Sequence, residues 1–127
     1  MTDQEMWELR EKIGRFSDLE YRQYAVRFGG PPTPLTGWYF QNTFQFKVLP
    51  DFPHDLNALF RWALPRLYQY HLEREIVYEN EQAVGTGRHV ASVVGDIHDS
   101  EVYTEVADTP ALALALAIGK LAEGEKT

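Results

Sequence analysis

Gly95-Asp96-Ile97-His98-Asp99 follows an apolar run that ends at Val94. An Asp-x-His at the end of a strand is an arrangement that holds a divalent ion in phosphoesterases, where carboxylate and imidazole suit a hydrolytic metal. The further blocks of that chemistry, an Asn-His pair among them, are missing. The plainer reading is a polar turn in which Asp96 caps its own backbone. Gly85-Thr86-Gly87-Arg88-His89 offers glycines for a backbone nest with a cation beside it, which suits phosphate or carboxylate. It lacks the Lys-Ser/Thr end of a P-loop, and the plainer reading is a hairpin turn with a solvated arginine. His54, with Asp51 and Asp55, has ligands for a metal or for proton transfer, or else these residues decorate a helix start. No nucleophile signature surrounds Ser17, Ser92 or Ser100. The carboxylate pairs Glu73/Glu75 and Glu79/Glu81 fall on stretches with nothing to raise their pKa values. Cysteine is absent, which excludes disulfides and thiolate metal sites and fits a reducing compartment. No catalytic residue, metal ligand or cofactor is therefore assigned.

The remaining chemical feature is an excess of rings. Seven Phe, seven Tyr and three Trp make up 13% of the 127 residues. Core packing accounts for at least half of them. The rest, with nearby arginines, can stack a base and hold its phosphate, or anchor a protein interface. The candidate binding set is Trp38, Tyr39, Arg61, Arg66, Tyr68, Tyr70, Arg88 and His89. A net charge of −7 argues against binding duplex nucleic acid, which needs a positive surface.

These residues need elements to position them. The length suits one domain, residues 1–127, with one core. Thr2 and Glu5 have capping-box spacing, and Met6, Leu9, Ile13 and Phe16 make an apolar stripe, so a helix is expected over 3–16 with a Glu8/Lys12 pair on its wet side. Residues 17–30 read as a short strand or as a continued helix. Gly29-Gly30-Pro31-Pro32-Thr33-Pro34 breaks regular structure. From Trp38 to Val48 apolar and polar residues alternate, with Asn42 as an interruption, which predicts a strand or hairpin arm.

Leu49–Leu72 reads as an amphipathic helix. Leu56, Leu59, Phe60, Ala63 and Leu67 share one face, Arg61 and Arg66 fall off it, Asp51 or Asp55 caps it, and Pro65 kinks it. On this reading His71 is a half-buried edge of the helix. Strands are expected over 75–79, 88–95 and 101–107, joined by turns at 80–87 and 96–100 in an antiparallel meander. Asp108 or Thr109 caps a last helix that begins at Pro110, whose alanines allow close approach to a sheet or another helix. The expected class is α+β, an α/β sandwich with a small antiparallel β-sheet covered by two to three helices. The polar, acidic N-terminal stretch and the lack of a membrane-length apolar run lead us to expect a soluble cytoplasmic protein with no membrane association.

Two motifs carry a resemblance. LPDFPHDLNALFRW at 49–62 and ADTPALALALAIGKLAEGE at 107–125, with LREKI at 9–13 as a weaker match, are similar to the phage ABA sandwich domain family of small phage and prophage proteins. The resemblance covers about a third of the chain. Residues 17–48 depart from it, with no family motif to match. It implies an α/β sandwich of phage origin acting in the bacterial host cytoplasm, and its motifs are structural rather than catalytic. Small size, missing catalytic motifs and the aromatic and arginine residues then point to a non-enzymatic binding protein, expected to be a homodimer. The expected role is counter-defence, by sequestering a small anionic nucleotide-derived immune signal or by binding a host defence protein. The alternatives are a small metal-dependent hydrolase using Asp96, His98 and His89, or a phage structural or accessory protein without a ligand.

Overall fold

A computed structural model describes the backbone of residues 1–26, 33–40, 43–47, 49–98 and 101–124, and the side chains of 1–19, 49–98 and 101–124. The elements in order are α1 (Asp3–Phe16), β1 (Leu19–Val26), β2 (Thr33–Phe40), β3 (Thr43–Lys47), a short helical passage over 56–66, β4 (Gln69–Glu79), β5 (Gln82–Val94), β6 (Tyr103–Ala107) and α2 (Pro110–Gly124). The strands form two antiparallel three-stranded sheets, ordered β1-β2-β3 and β4-β5-β6. The fold is α+β, with helices on small antiparallel sheets.

Helix α1 starts where its sequence says. The Thr2 hydroxyl accepts from the Glu5 N–H at 3.1 Å, and the Glu5 carboxylate accepts from the Thr2 N–H at 3.3 Å, closing the capping box. These bonds from Thr2, the backbone one first, hold the Glu5 carboxyl below its ordinary value. Leu9 and Ile13 are buried, and Met6 and Phe16 are half-buried. Lys12 does not lie along its own helix toward Glu8 as expected. It forms an ion pair with Glu123 of α2, and Glu8 instead accepts from Gln4.

The expected long helix over 49–72 does not form. Asp55 caps Leu56–Ala58 through the Ala58 N–H at 3.2 Å, which decides between the two candidate caps. Asp51 instead pairs with His54, whose Nδ1 lies 3.0 Å away. Residues Leu59–Ala63 then widen into a π-turn closed by the Leu64 N–H on the Leu59 carbonyl, and Leu64–Arg66 tighten into a 3-10 turn. Pro65 is the physical cause. It has no N–H to give the Arg61 carbonyl, so an α-helical continuation would leave that acceptor unpaired. Leu67 is already extended, and Tyr68 donates its N–H to the Val94 carbonyl at 2.9 Å, the first bond toward the sheet. Tyr68, Tyr70 and His71 are therefore not helical. His71 lies in β4 with an exposed side chain.

Strands β4 and β5 are longer than their sequence segments suggest, because the turn between them is only Asn80-Glu81. Both residues have positive φ (50° and 66°), as a two-residue type I′ turn requires. Gly85, Thr86 and Gly87 therefore belong to β5. Thr86, Gly87 and Arg88 form a bulge opposite Glu75, since the register passes from Arg74↔His89 to Ile76↔Gly85. Gly87 takes φ +85°, a conformation that glycine adopts without strain.

Helix α2 lies across β5 and β6 on one side and packs against α1 on the other. Thr109 begins it, accepting the Leu112 N–H on its hydroxyl at 3.2 Å. Ala111, Ala113, Ala115 and Ala117 are all buried, as are Leu114, Ile118 and Leu121. The small residues let both neighbours approach. A Cβ at Gly119 would stand 2.8 Å from the Leu9 Cδ1 of α1. Phe52, wholly buried, and Leu59 close the core from the side of the helical passage. The segment ahead of that passage is tied to α1 by Arg10, which donates to the carbonyls of Leu49 at 2.6 Å and Pro50 at 3.3 Å.

Candidate binding surface

Strand alternation and the register give the second sheet two faces. One carries Tyr70, Leu72, Arg74, Ile76 and Tyr78 of β4, with Val93, Ala91, His89, Gly85 and Ala83 opposite them on β5. Helix α2 covers this face only over Ala91, Val93 and β6, where Lys120 of the helix reaches Glu105 at 2.6 Å. The other face carries His71, Glu73 and Val77, Ser92, Val90 and Val84, and Thr104 and Val106. It is roofed by no helix among the described residues. There Ser92 and Thr104 share a hydrogen bond at 3.0 Å, and Glu73 bonds the His71 ring at 3.2 Å.

The exposed rings gather where the helical passage hands over to β4. Phe60 and Tyr70 are 39% and 46% exposed and face each other with centroids 6.0 Å apart, tilted by 53°. Tyr68, 55% exposed, stands two residues before Tyr70. The Arg61 guanidinium lies over the Trp62 ring, 4.6 Å from its centroid. Two open rings in contact form a surface that can hold a planar or apolar group. Phe60 was expected on the buried helical face. It is exposed instead, while Leu59 and Ala63 of the π-turn are buried.

The other expected site residues are dispersed. Arg66 is paired with Asp18. Arg88 is bound to Glu75 through two bonds, Nε at 3.1 Å and the terminal nitrogen at 2.6 Å, while its side chain stays open to solvent as expected. Those bonds, with the Thr86 hydroxyl second, hold the Glu75 carboxyl below its ordinary value. His89 is half-buried on the same strand face as Ala91. Trp38 and Tyr39 lie on β2, in register with Tyr21 and Glu20 of β1, and their side chains fall outside the described residues. Asn42, the expected interruption, also lies outside them.

The remaining chemical candidates resolve simply. The Thr86 hydroxyl accepts the Arg88 N–H at 3.3 Å and donates to the Glu75 carbonyl, so the glycine-rich stretch is a bulge stapled by an ion pair with a carboxylate at its side. That is a poor bed for an anion. Asp96 accepts the His98 N–H at 3.0 Å, an Asx turn. His89 lies back within β5, so Asp96, His98 and His89 do not converge. Among the described residues, no three His, Asp or Glu side chains form a group that could hold a metal. A groove of about 310 Å³ between α1 and α2 is lined by Leu9, Leu116, Gly119 and the paired Lys12/Glu123 and Lys120/Glu105, so both of its lysines are neutralised.

The residues missed in the sequence are those of the distal hairpin. Ile76, Val77, Tyr78 and Val84 are all exposed, Tyr78 at 78%. Their signal was present as alternation through Tyr68, Tyr70, Leu72, Arg74, Ile76 and Tyr78, but the helical reading of residues 49–72 cut it in half. No helix among the described residues is long and apolar enough to cross a membrane. Set against known proteins, the chain matches no family model, no curated protein and no solved structure.

Proposed function

We propose that the protein is a non-enzymatic binding protein of phage origin, acting in counter-defence by covering a host component with its exposed rings. The observation that carries this reading is the exposed Phe60–Tyr70 ring pair, with Tyr68 also exposed two residues ahead of Tyr70 and Arg61 stacked on Trp62 in the next positions of the chain after Phe60. Exposed rings have no place in the protein's own core and supply large contact area at low entropic cost. A host defence protein is the favoured partner. Arg66 and Arg88, the cations expected to hold a nucleotide's phosphates, are already engaged with Asp18 and Glu75. The phage assignment rests on the two sequence motifs alone.

Two experiments test it. Bacteria carrying a defence system that blocks a phage are made to express the protein. Wild type restores plaques, and a Phe60→Ala/Tyr70→Ala variant that still folds does not. No rescue by wild type across a panel of defence systems removes counter-defence. Thermal melting with linear and cyclic nucleotides tests the nucleotide form of the same reading. A rise in Tm that the double variant loses restores it, and no rise at large excess eliminates it.

A further inference from the structure

The geometry points to a second copy of this chain adding to the free edge of β4, which joins two β4-β5-β6 sheets edge to edge about a two-fold axis. Among the described residues β4 pairs only with β5, so eleven residues of strand present one flank of backbone donors and acceptors without a neighbouring strand. Proteins normally blunt such an edge or cover it, because it is a template for another strand. Here the edge is long, and its distal half carries Ile76, Val77 and Tyr78, all exposed.

The sequence of β4 selects its own twin as the occupant. A two-fold axis through the sheet sets residues of one face against residues of the same face, so it must pass through a residue. Centring it on Arg74 opposes two arginines and sets Glu73 against Glu75 twice. Centring it on Ile76 sets Glu73 against Glu79 twice. Centring it on Glu73 pushes the partner's turn into the passage Leu64–Leu67. Centring it on Glu75 keeps the overlap, residues 71–79, inside the strand. It sets His71 against the partner's Glu79 and Leu72 against the partner's Tyr78, each twice. The one like-charged pair, Glu75 with its symmetry mate, is already neutralised by Arg88 in each protomer. This arrangement also brings the partner's Asn80 beside Tyr70, so the tip of each arm borders the ring group of the other protomer. The inference does not depend on what those rings bind.

The test uses the full chain. Sedimentation over a range of concentrations is expected to give a dimer for wild type. An Ile76→Lys/Tyr78→Lys variant should weaken self-association ~10-fold or more, as loss of interface anchors does, while its circular dichroism is unchanged. The chain has no cysteine, so Glu75→Cys is expected to give a disulfide-linked dimer on mild oxidation, and Glu81→Cys at the turn is not. A monomer at every soluble concentration overturns the proposal. So does a dimer that the lysine variant leaves intact and that fails to cross-link at position 75. Neither result bears on the plaque or nucleotide tests, so the two proposals fail separately.

Discussion

The two halves of the β4–β5 hairpin have the same strand geometry and opposite fates. Near its base, Ala91 and Val93 are sealed beneath α2. Beyond the bulge, Ile76 and Tyr78 continue the same face of the same sheet into solvent, with only Gly85 and Ala83 opposite them. Alternation assigns residues to a face, but coverage depends on how far the covering helix reaches. At the base, the large side chains come from α2 and the strand supplies small ones. In the arm, the strand supplies the large ones, and among the described residues no helix covers them. The bulge at Thr86–Arg88 lies between the two regimes.

That contrast can be strained at several points. Leu114→Ala, under the roof, leaves a cavity and should cost about 2–5 kcal/mol in denaturant unfolding; a loss under 1 kcal/mol would show that α2 does not seal the base. Gly119→Val forces a side chain against Leu9 where α1 meets α2, and the expected cost is about 1–3 kcal/mol. Gly87→Ala must hold alanine at positive φ, with an expected cost of about 1–2 kcal/mol. Hydrogen exchange should show that loss in the arm amides and not in those of Ala91 or Val93.

Acid separates the halves by a different route. The folded pKa of Glu75 lies below the unfolded value near 4.5, so its stabilisation is complete above that value and is lost as pH falls through the lowered one. Arm amides should therefore lose protection in that acid range, and Glu75→Gln should abolish the pH dependence. The smallest effect is expected for Tyr78→Ser. Measured where the protein is monomeric, it should move stability by no more than about 0.5 kcal/mol, because the ring touches little of its own chain. A large loss there would mean that the arm is covered within one protomer.

Legibility in the sequence followed the range of the cause. Helix α1 was readable to the residue, because a capping box and an apolar stripe are local. The last helix was readable through Pro110 and its run of Ala and Leu, as was the Asx turn at Asp96. The class of fold followed from these elements and the meander. Residues 49–72 misled because apolar spacing at 56, 59, 60, 63 and 67 fits a helix, while one missing N–H at Pro65 redirected the chain. The type I′ turn was hidden because Asn80-Glu81 lacks the glycine that usually marks one. Of the expected site, Tyr70 meets Phe60, Tyr68 is exposed close by in the chain, and Arg61 stacks on Trp62. Arg66 and Arg88 were lost to it because ion pairs with Asp18 and Glu75 join residues far apart in sequence.

The burial of α2 on both sides has a consequence for how the molecule is made. A ribosome releases α1, the helical passage and β4–β6 before it releases the helix that packs against them. Until then Leu9 and Ile13 of α1 and Ala91 and Val93 of β5 lack the helix that buries them. Nascent molecules in this interval are the ones most exposed to mispairing with one another and to capture by chaperones.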